Sequence, residues 1–147
     1  MKEIAKNLSL LIQLDVDAVY SYDQVIKEVD DPVIRDQLNM YRRDHMRHID
    51  ELSRIMASLG ETPIKRMPDF KGFLTPGFMT LLNLTGTEGA LRGLESNEKV
   101  ASKIYHDARS WYMPPEIKDL IEKHSNDEYE HVRYIQERLG VISTPIR

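Results

Sequence analysis

Residues 42–52 read RRDHMRHIDEL, and they put His45 and His48 three positions apart on what is otherwise an apolar stripe. Ile34, Leu38, Tyr41, His45, His48, Leu52, Ile55 and Leu59 follow one another at spacings of three and four, the period of a helix that buries one face. An imidazole on a buried face needs hydrogen-bonding or metal partners, so the rest of the chain has to supply them.

Three further stripes have the same period. Leu11, Leu14, Ala18, Tyr22, Val25 and Val29 mark a first helix that ends at Asp30-Asp31-Pro32, where Asp31 caps and Pro32 opens the second helix. Leu91, Leu94, Glu98, Ala101, Tyr105 and Ala108 mark a third, and WYMPPE breaks the chain before a fourth. That fourth stripe is Ile117, Ile121, His124, Glu128, His131 and Ile135, followed by Gly140 and a short tail. Strand-type alternation is not sustained anywhere. The Pro- and Gly-rich stretch from Gly60 onward, which leads into the apolar piece GFMTLLNL, reads as a connection. An extended chain covers about 3.3 Å per residue against about 1.5 Å in a helix, so this connection is long enough to run the length of a bundle. Its Phe70, Phe73, Phe78 and Met79 either pack over the bundle core, the simpler reading, or make a homodimer contact.

Sliding the sequence by 83 positions lays the first helix pair on the second without a gap. Leu11 meets Leu94, Ala18 meets Ala101, Tyr22 meets Tyr105, Pro32 meets Pro115 and Ile34 meets Ile117. The polar positions repeat as well: Asp15 meets Glu98, Asp44 meets Asp127, His45 meets Glu128, and His48 meets His131. The expected architecture is therefore all-α: an antiparallel four-helix bundle with internal two-fold pseudo-repeat, a long crossover between helices 2 and 3, and one domain over residues 1–147. The hairpins cover about residues 4–59 and 87–139, with the connection at 60–86.

In such a bundle Asp15, His45, His48, Glu98, Glu128 and His131 converge on the axis. Three carboxylates buried together without a counter-charge cost several kcal/mol per ion or are driven to neutrality. A divalent metal removes that cost, and Glu128 and His131, three apart on one face, can offer an oxygen and an imidazole to the same ion. His124, whose repeat mate is Tyr41, is either a supplementary ligand or a group behind the ligands. Tyr22 and Tyr105 read as core residues whose hydroxyls find the acids. Asp44, Asp50, Glu51, Asp127 and Glu130 lie off the stripes and read as solvated faces.

These residues resemble a known pattern. DVDAVYSY (Asp15, Ala18, Tyr22) and EKVASKIY (Glu98, Ala101, Tyr105) are similar to the acid-Ala-Tyr signatures of the ferritin-like di-iron carboxylate proteins of the bacterioferritin and rubrerythrin type, and EYEH (Glu128, His131) matches their fourth-helix motif. Over residues 8–139 the chain looks closest to a poorly characterised bacterial, stress-linked ferritin-like family. The resemblance implies a di-iron or iron/manganese centre with ferroxidase or oxygen- or peroxide-reducing activity, oxygen or peroxide as small-molecule partners, and an external reductant. Asp15, Glu98 and Glu128 would be the oxygen ligands and His45, His48 and His131 the nitrogen ligands. Two departures stand out. Asp15 is one methylene shorter than glutamate, and His45 stands where the second helix would carry a glutamate. The acids then number three where four would neutralise two ferrous ions, and a carboxylate bridge is lost. That set favours an asymmetric two-metal site or a single ion, and its mixed donors suit iron, manganese or zinc. The competing class is a non-enzymatic structural or stress-associated bundle with a degenerate or structural metal site.

Composition bounds the remainder. The 147 residues are 41% hydrophobic, enough for one buried core, and the formal charge of -4 comes from intermixed acids and bases. No basic footprint for nucleic acid or an anionic membrane surface is present. The absence of cysteine excludes disulfides, zinc-thiolate and iron–sulfur sites and thiol nucleophiles. Gln13, Asp15 and Asp17 interrupt the first apolar run, so it is read neither as a secretion signal nor, falling short of about 18 residues, as a membrane span. A cytoplasmic protein is expected.

Overall fold

Asp31 and Pro32 make the first corner of the chain. The Asp31 carboxylate accepts from the backbone N–H of Val33 at 2.8 Å and of Ile34 at 3.4 Å, and Pro32 occupies the first helical position, where no N–H is needed. In the computed structural model, residues 2–69 and 86–143 are described. They form α1 (Lys2–Glu28), α2 (Pro32–Ser58), α3 (Gly86–Ala108) and α4 (Pro115–Ser143). The apolar piece at 77–84 and the Phe70, Phe73, Phe78 and Met79 cluster lie outside the described residues.

Every stripe residue expected on α1 and α3 is buried, and so are those of α2 from Ile34 to Leu52 and of α4 from Ile117 to Ile135. Ile55 and Leu59 are partly buried against the same core. Each large aliphatic side chain taken out of water this way contributes about 1.5–3 kcal/mol.

α1 packs on α2 and α3, and α4 packs on α3 and α2. Direction follows from who meets whom. Ser9 reaches Met56 and Asp23 reaches Arg42, so α1 and α2 are antiparallel. Tyr22 meets Glu98 while Tyr105 meets Asp15, so α1 and α3 are antiparallel too. His48 meets Asp127 while His131 meets Asp44, which makes α2 and α4 antiparallel. It follows that α2 and α3 run the same way, and that the end of α2 and the start of α3 lie at opposite ends of the bundle. The crossover expected from the sequence is thereby required.

Gly60 closes α2. Its φ of +77° is the left-handed conformation that favours glycine, and it allows Gly60 N–H to reach Ala57 O at 3.0 Å and Glu61 N–H to reach Met56 O at 2.9 Å. Gly140 behaves differently. The fourth helix was expected to stop there, yet it continues to Ser143, because Gly140 keeps a negative φ and a mid-helix glycine costs only about 1 kcal/mol. Near the start of the connection, the buried Asp17 carboxylate accepts from Asp69 N–H at 2.7 Å and from Gln13 Nε2 at 2.9 Å, which pins this stretch to α1. Among the described residues, no helix is long and apolar enough to cross a membrane.

Candidate metal centre

Each of the four helices delivers its polar stripe residues to one level of the axis. Asp15 (α1), His45 and His48 (α2), Glu98 (α3), and Glu128 and His131 (α4) are all within 1% of full burial. His45 Nδ1 lies 2.7 Å from Asp15 Oδ1 and 3.2 Å from Glu128 Oε1. His48 Nδ1 joins them at 3.1 Å from Asp15 Oδ1 and 3.8 Å from Glu128 Oε1. On the other side, Glu98 Oε2 lies 3.1 Å from His45 Nε2 and 2.9 Å from His131 Nδ1, and His131 Nδ1 lies 3.6 Å from Glu128 Oε2. The result is two groups, Asp15/His45/His48/Glu128 and His45/Glu98/Glu128/His131, which share His45 and Glu128. Donors about 2.1 Å from a tetrahedral ion are about 3.4 Å apart, so the spacing within each group suits a metal.

Tyrosines hold the two terminal acids from behind. Tyr22 OH donates to Glu98 Oε2 at 2.8 Å, and its repeat mate Tyr105 OH donates to Asp15 Oδ2. Burial, and then the neighbouring carboxylates, push both phenols well above their ordinary range, which keeps them protonated donors. His124 belongs to neither group. Its ring stacks on His48 with centroids 3.8 Å apart and planes 18° apart, and its mate Tyr41 packs on His131 with centroids 4.3 Å apart and planes tilted by 36°. Burial and then the charge of His48 push His124 down to about 4, so it is a neutral packing partner.

An outer ring of polar residues was not anticipated from the sequence. Asp44 and Asp127, read as solvated, are only partly exposed and take up the outward nitrogens of the histidines: His48 Nε2 to Asp127 Oδ2 at 2.8 Å, and His131 Nε2 to Asp44 Oδ2 at 2.8 Å. Glu51 does the same for His124 Nε2 at 3.3 Å. Arg47 ties all three acids together, reaching Asp127 at 2.7 Å, Glu51 at 2.9 Å and Asp44 at 3.4 Å. Burial raises Asp127, but His48 and Arg47 outweigh it and hold the carboxyl at about 2, so it can only accept and His48 Nε2 must donate. His48 Nδ1 then faces the Asp15 carboxylate, and a proton or a metal ion has to lie between them.

In the metal-free chain protons fill that role. Burial disfavours the charged imidazoles of His45, His48 and His131, but the surrounding carboxylates overcome it and raise all three. Asp15 and Glu98 are lowered in turn, with the histidines outweighing burial. Glu128 goes the other way: burial first, and then the charge of Glu98, raise it. Both of its oxygens, and Glu98 Oε1, are fully buried without a hydrogen-bond partner. The two Glu128 oxygens, orphaned yet 3.2–3.8 Å from the inward nitrogens of His45, His48 and His131, form with those nitrogens a donor set that fits a divalent cation.

In overall form the chain is similar to the crystal structure of a conserved hypothetical protein, rv2844, from Mycobacterium tuberculosis. The two are 12% identical, with a TM-score of 0.77 over 100% of this chain and 97% of that one. At that identity the likeness speaks to the four-helix fold alone. No curated protein matches the chain. A family model described as a domain of unknown function, DUF2383, matches residues 3–111, which include Asp15, His45, His48 and Glu98, and the chain belongs to that family.

Proposed function

We propose that the chain is a ferritin-like metalloprotein of the bacterioferritin and rubrerythrin type, binding transition metal, iron foremost, between its four helices. The observation that carries this reading is the pair of buried Glu128 oxygens that have no hydrogen-bond partner and face the inward nitrogens of His45, His48 and His131 at 3.2–3.8 Å. Asp15, Glu98 and Glu128 are the oxygen donors. His48 and His131 bind through Nδ1, the nitrogen left over once Asp127 and Asp44 have taken Nε2–H. Asp15, His45, His48, Glu98, Glu128 and His131 would hold the iron, which would supply redox chemistry of the ferroxidase or oxygen- or peroxide-reducing kind. Tyr22 and Tyr105 keep their protons and orient Glu98 and Asp15, and the apolar layers above and below exclude bulk water. With no cysteine in the chain, electrons for repeated turnover come from an external reductant.

The rival reading is a non-enzymatic bundle in which protonated His45, His48 and His131 neutralise the acids internally; their close contacts with Asp15 and Glu98 favour it. Elemental analysis of untagged protein purified without chelator, followed by anaerobic loading with ferrous iron, separates the two. The metalloprotein reading expects about one or two metal ions per chain, a melting temperature that falls on chelation, and oxygen uptake on exposure of the ferrous form to air. A chain that takes up no metal, and whose melting is indifferent to chelator, belongs to the rival.

A further inference from the structure

We propose that His45 bridges two metal ions, one on each ring nitrogen, so that the centre holds a pair of ions rather than one. This rests on the metal-binding reading above and concerns how many ions the site takes and what joins them. His48 and His131 each send one nitrogen inward and tie the other to an outer aspartate. His45 does not. Its Nδ1 faces Asp15 Oδ1 and Glu128 Oε1, while its Nε2 faces Glu98 Oε2. The ring sits between the other two imidazoles, with centroids 5.6 Å from His48 and 5.1 Å from His131.

Glu128, the repeat mate of His45, divides itself in the same way. Its Oε1 lies on the His45 and His48 side and its Oε2 on the His131 side, and neither oxygen has a hydrogen-bond partner. The pseudo-two-fold thus exchanges Asp15 and His48 with Glu98 and His131 as terminal donors, and exchanges His45 with Glu128 as the two shared donors. Charge supports the pairing. Asp15, Glu98 and Glu128 supply three negative charges, and an imidazole that has lost its remaining ring proton supplies the fourth, which matches two divalent ions. In that step one nitrogen–metal bond replaces one N–H bond, the proton passes to solvent, and no electrons change hands.

Zinc(II) and protein labelled with nitrogen-15 in histidine provide the test, with ring-nitrogen shifts read by NMR during the titration and bound zinc counted per chain. The wild-type chain is expected to take two zinc ions, with both His45 nitrogens moved to metal-bound shifts and no ring N–H left, while His48 and His131 each keep one. His45→Glu, which restores a carboxylate, is expected to keep two ions and identifies the His45 signals by their loss. His45→Leu is expected to hold no more than one. A His45 that retains a ring N–H at saturation, a wild-type chain that stops at one zinc, or a His45→Leu chain that binds two as tightly as wild type overturns the bridge and leaves the metal centre standing. A folded wild-type chain that binds no zinc, manganese or ferrous iron overturns the centre itself.

Discussion

His48 on α2 donates its Nε2–H to Asp127 on α4 at 2.8 Å, and the same bond recurs in the other half of the bundle between His131 and Asp44, also at 2.8 Å. Each half thus supplies the carboxylate that orients the other half's histidine. If these histidines are ligands, the aspartates fix their tautomer and raise their basicity. Asp44→Asn and Asp127→Asn are then each expected to weaken metal binding roughly 10–100-fold, and by similar amounts, in a competition titration against a coloured chelator. Unchanged affinity in both variants would make the outer aspartates surface groups and nothing more.

The stripes and the 83-residue offset carried the fold and the inner residues. Asp15 and Glu98 stand at matched stripe positions, as do His48 and His131, and helical period together with the repeat says that such residues meet. The outer ring was harder to read. Asp44 and Asp127 were visible as repeat mates, but each lies one position off its stripe, and period alone assigns such a position to solvent. Their pairing with His131 and His48 depends on the register between α2 and α4 across a seam, which no spacing within a single helix encodes. Arg47 is more hidden still, because its repeat mate is Glu130 and its role exists only once three acids from two helices have been gathered around it. The two-sided placement of His45 is likewise a matter of where its neighbours stand, although its position opposite Glu128 in the repeat was a usable clue.

Glu128 should trade stability for binding. Both of its oxygens are buried without a hydrogen bond, and its contacts with His45, His48 and His131 are no closer than 3.2 Å, so burying it costs the metal-free fold and its removal breaks no hydrogen bond. Glu128→Leu is expected to raise the metal-free unfolding free energy by about 1–3 kcal/mol in a denaturant titration while abolishing the metal-dependent rise in melting temperature. A variant that is less stable than wild type without metal would mean that Glu128 is a net stabilising counter-charge for His45.

His124 lies flat against His48 but belongs to neither donor group. His124→Phe preserves an aromatic stack and is expected to leave metal content close to that of wild type. Glu128→Ala and His131→Ala are expected to lose more than the roughly 10–100-fold assigned to an outer partner. Metal analysis of the purified variants decides the matter, and equal occupancy in all three would remove Glu128 and His131 from the ligand set.

Protons and metal compete for the same nitrogens, and the sign of that competition can be worked out. His45, His48 and His131 are raised above 6.5 in the metal-free fold, so their contribution to its stability is fully present below about pH 6.5 and is lost as pH rises through their folded values. An ion on the same nitrogens displaces those protons, so its affinity should grow over the same alkaline range. Between pH 6.5 and 9 the melting temperature of the chelated protein is expected to fall while the increment given by a fixed concentration of manganese or zinc rises, and calorimetry in buffers of different ionisation enthalpy should record proton release on binding. An increment that shrinks with pH, or binding without proton release near neutrality, would place the ion away from these histidines.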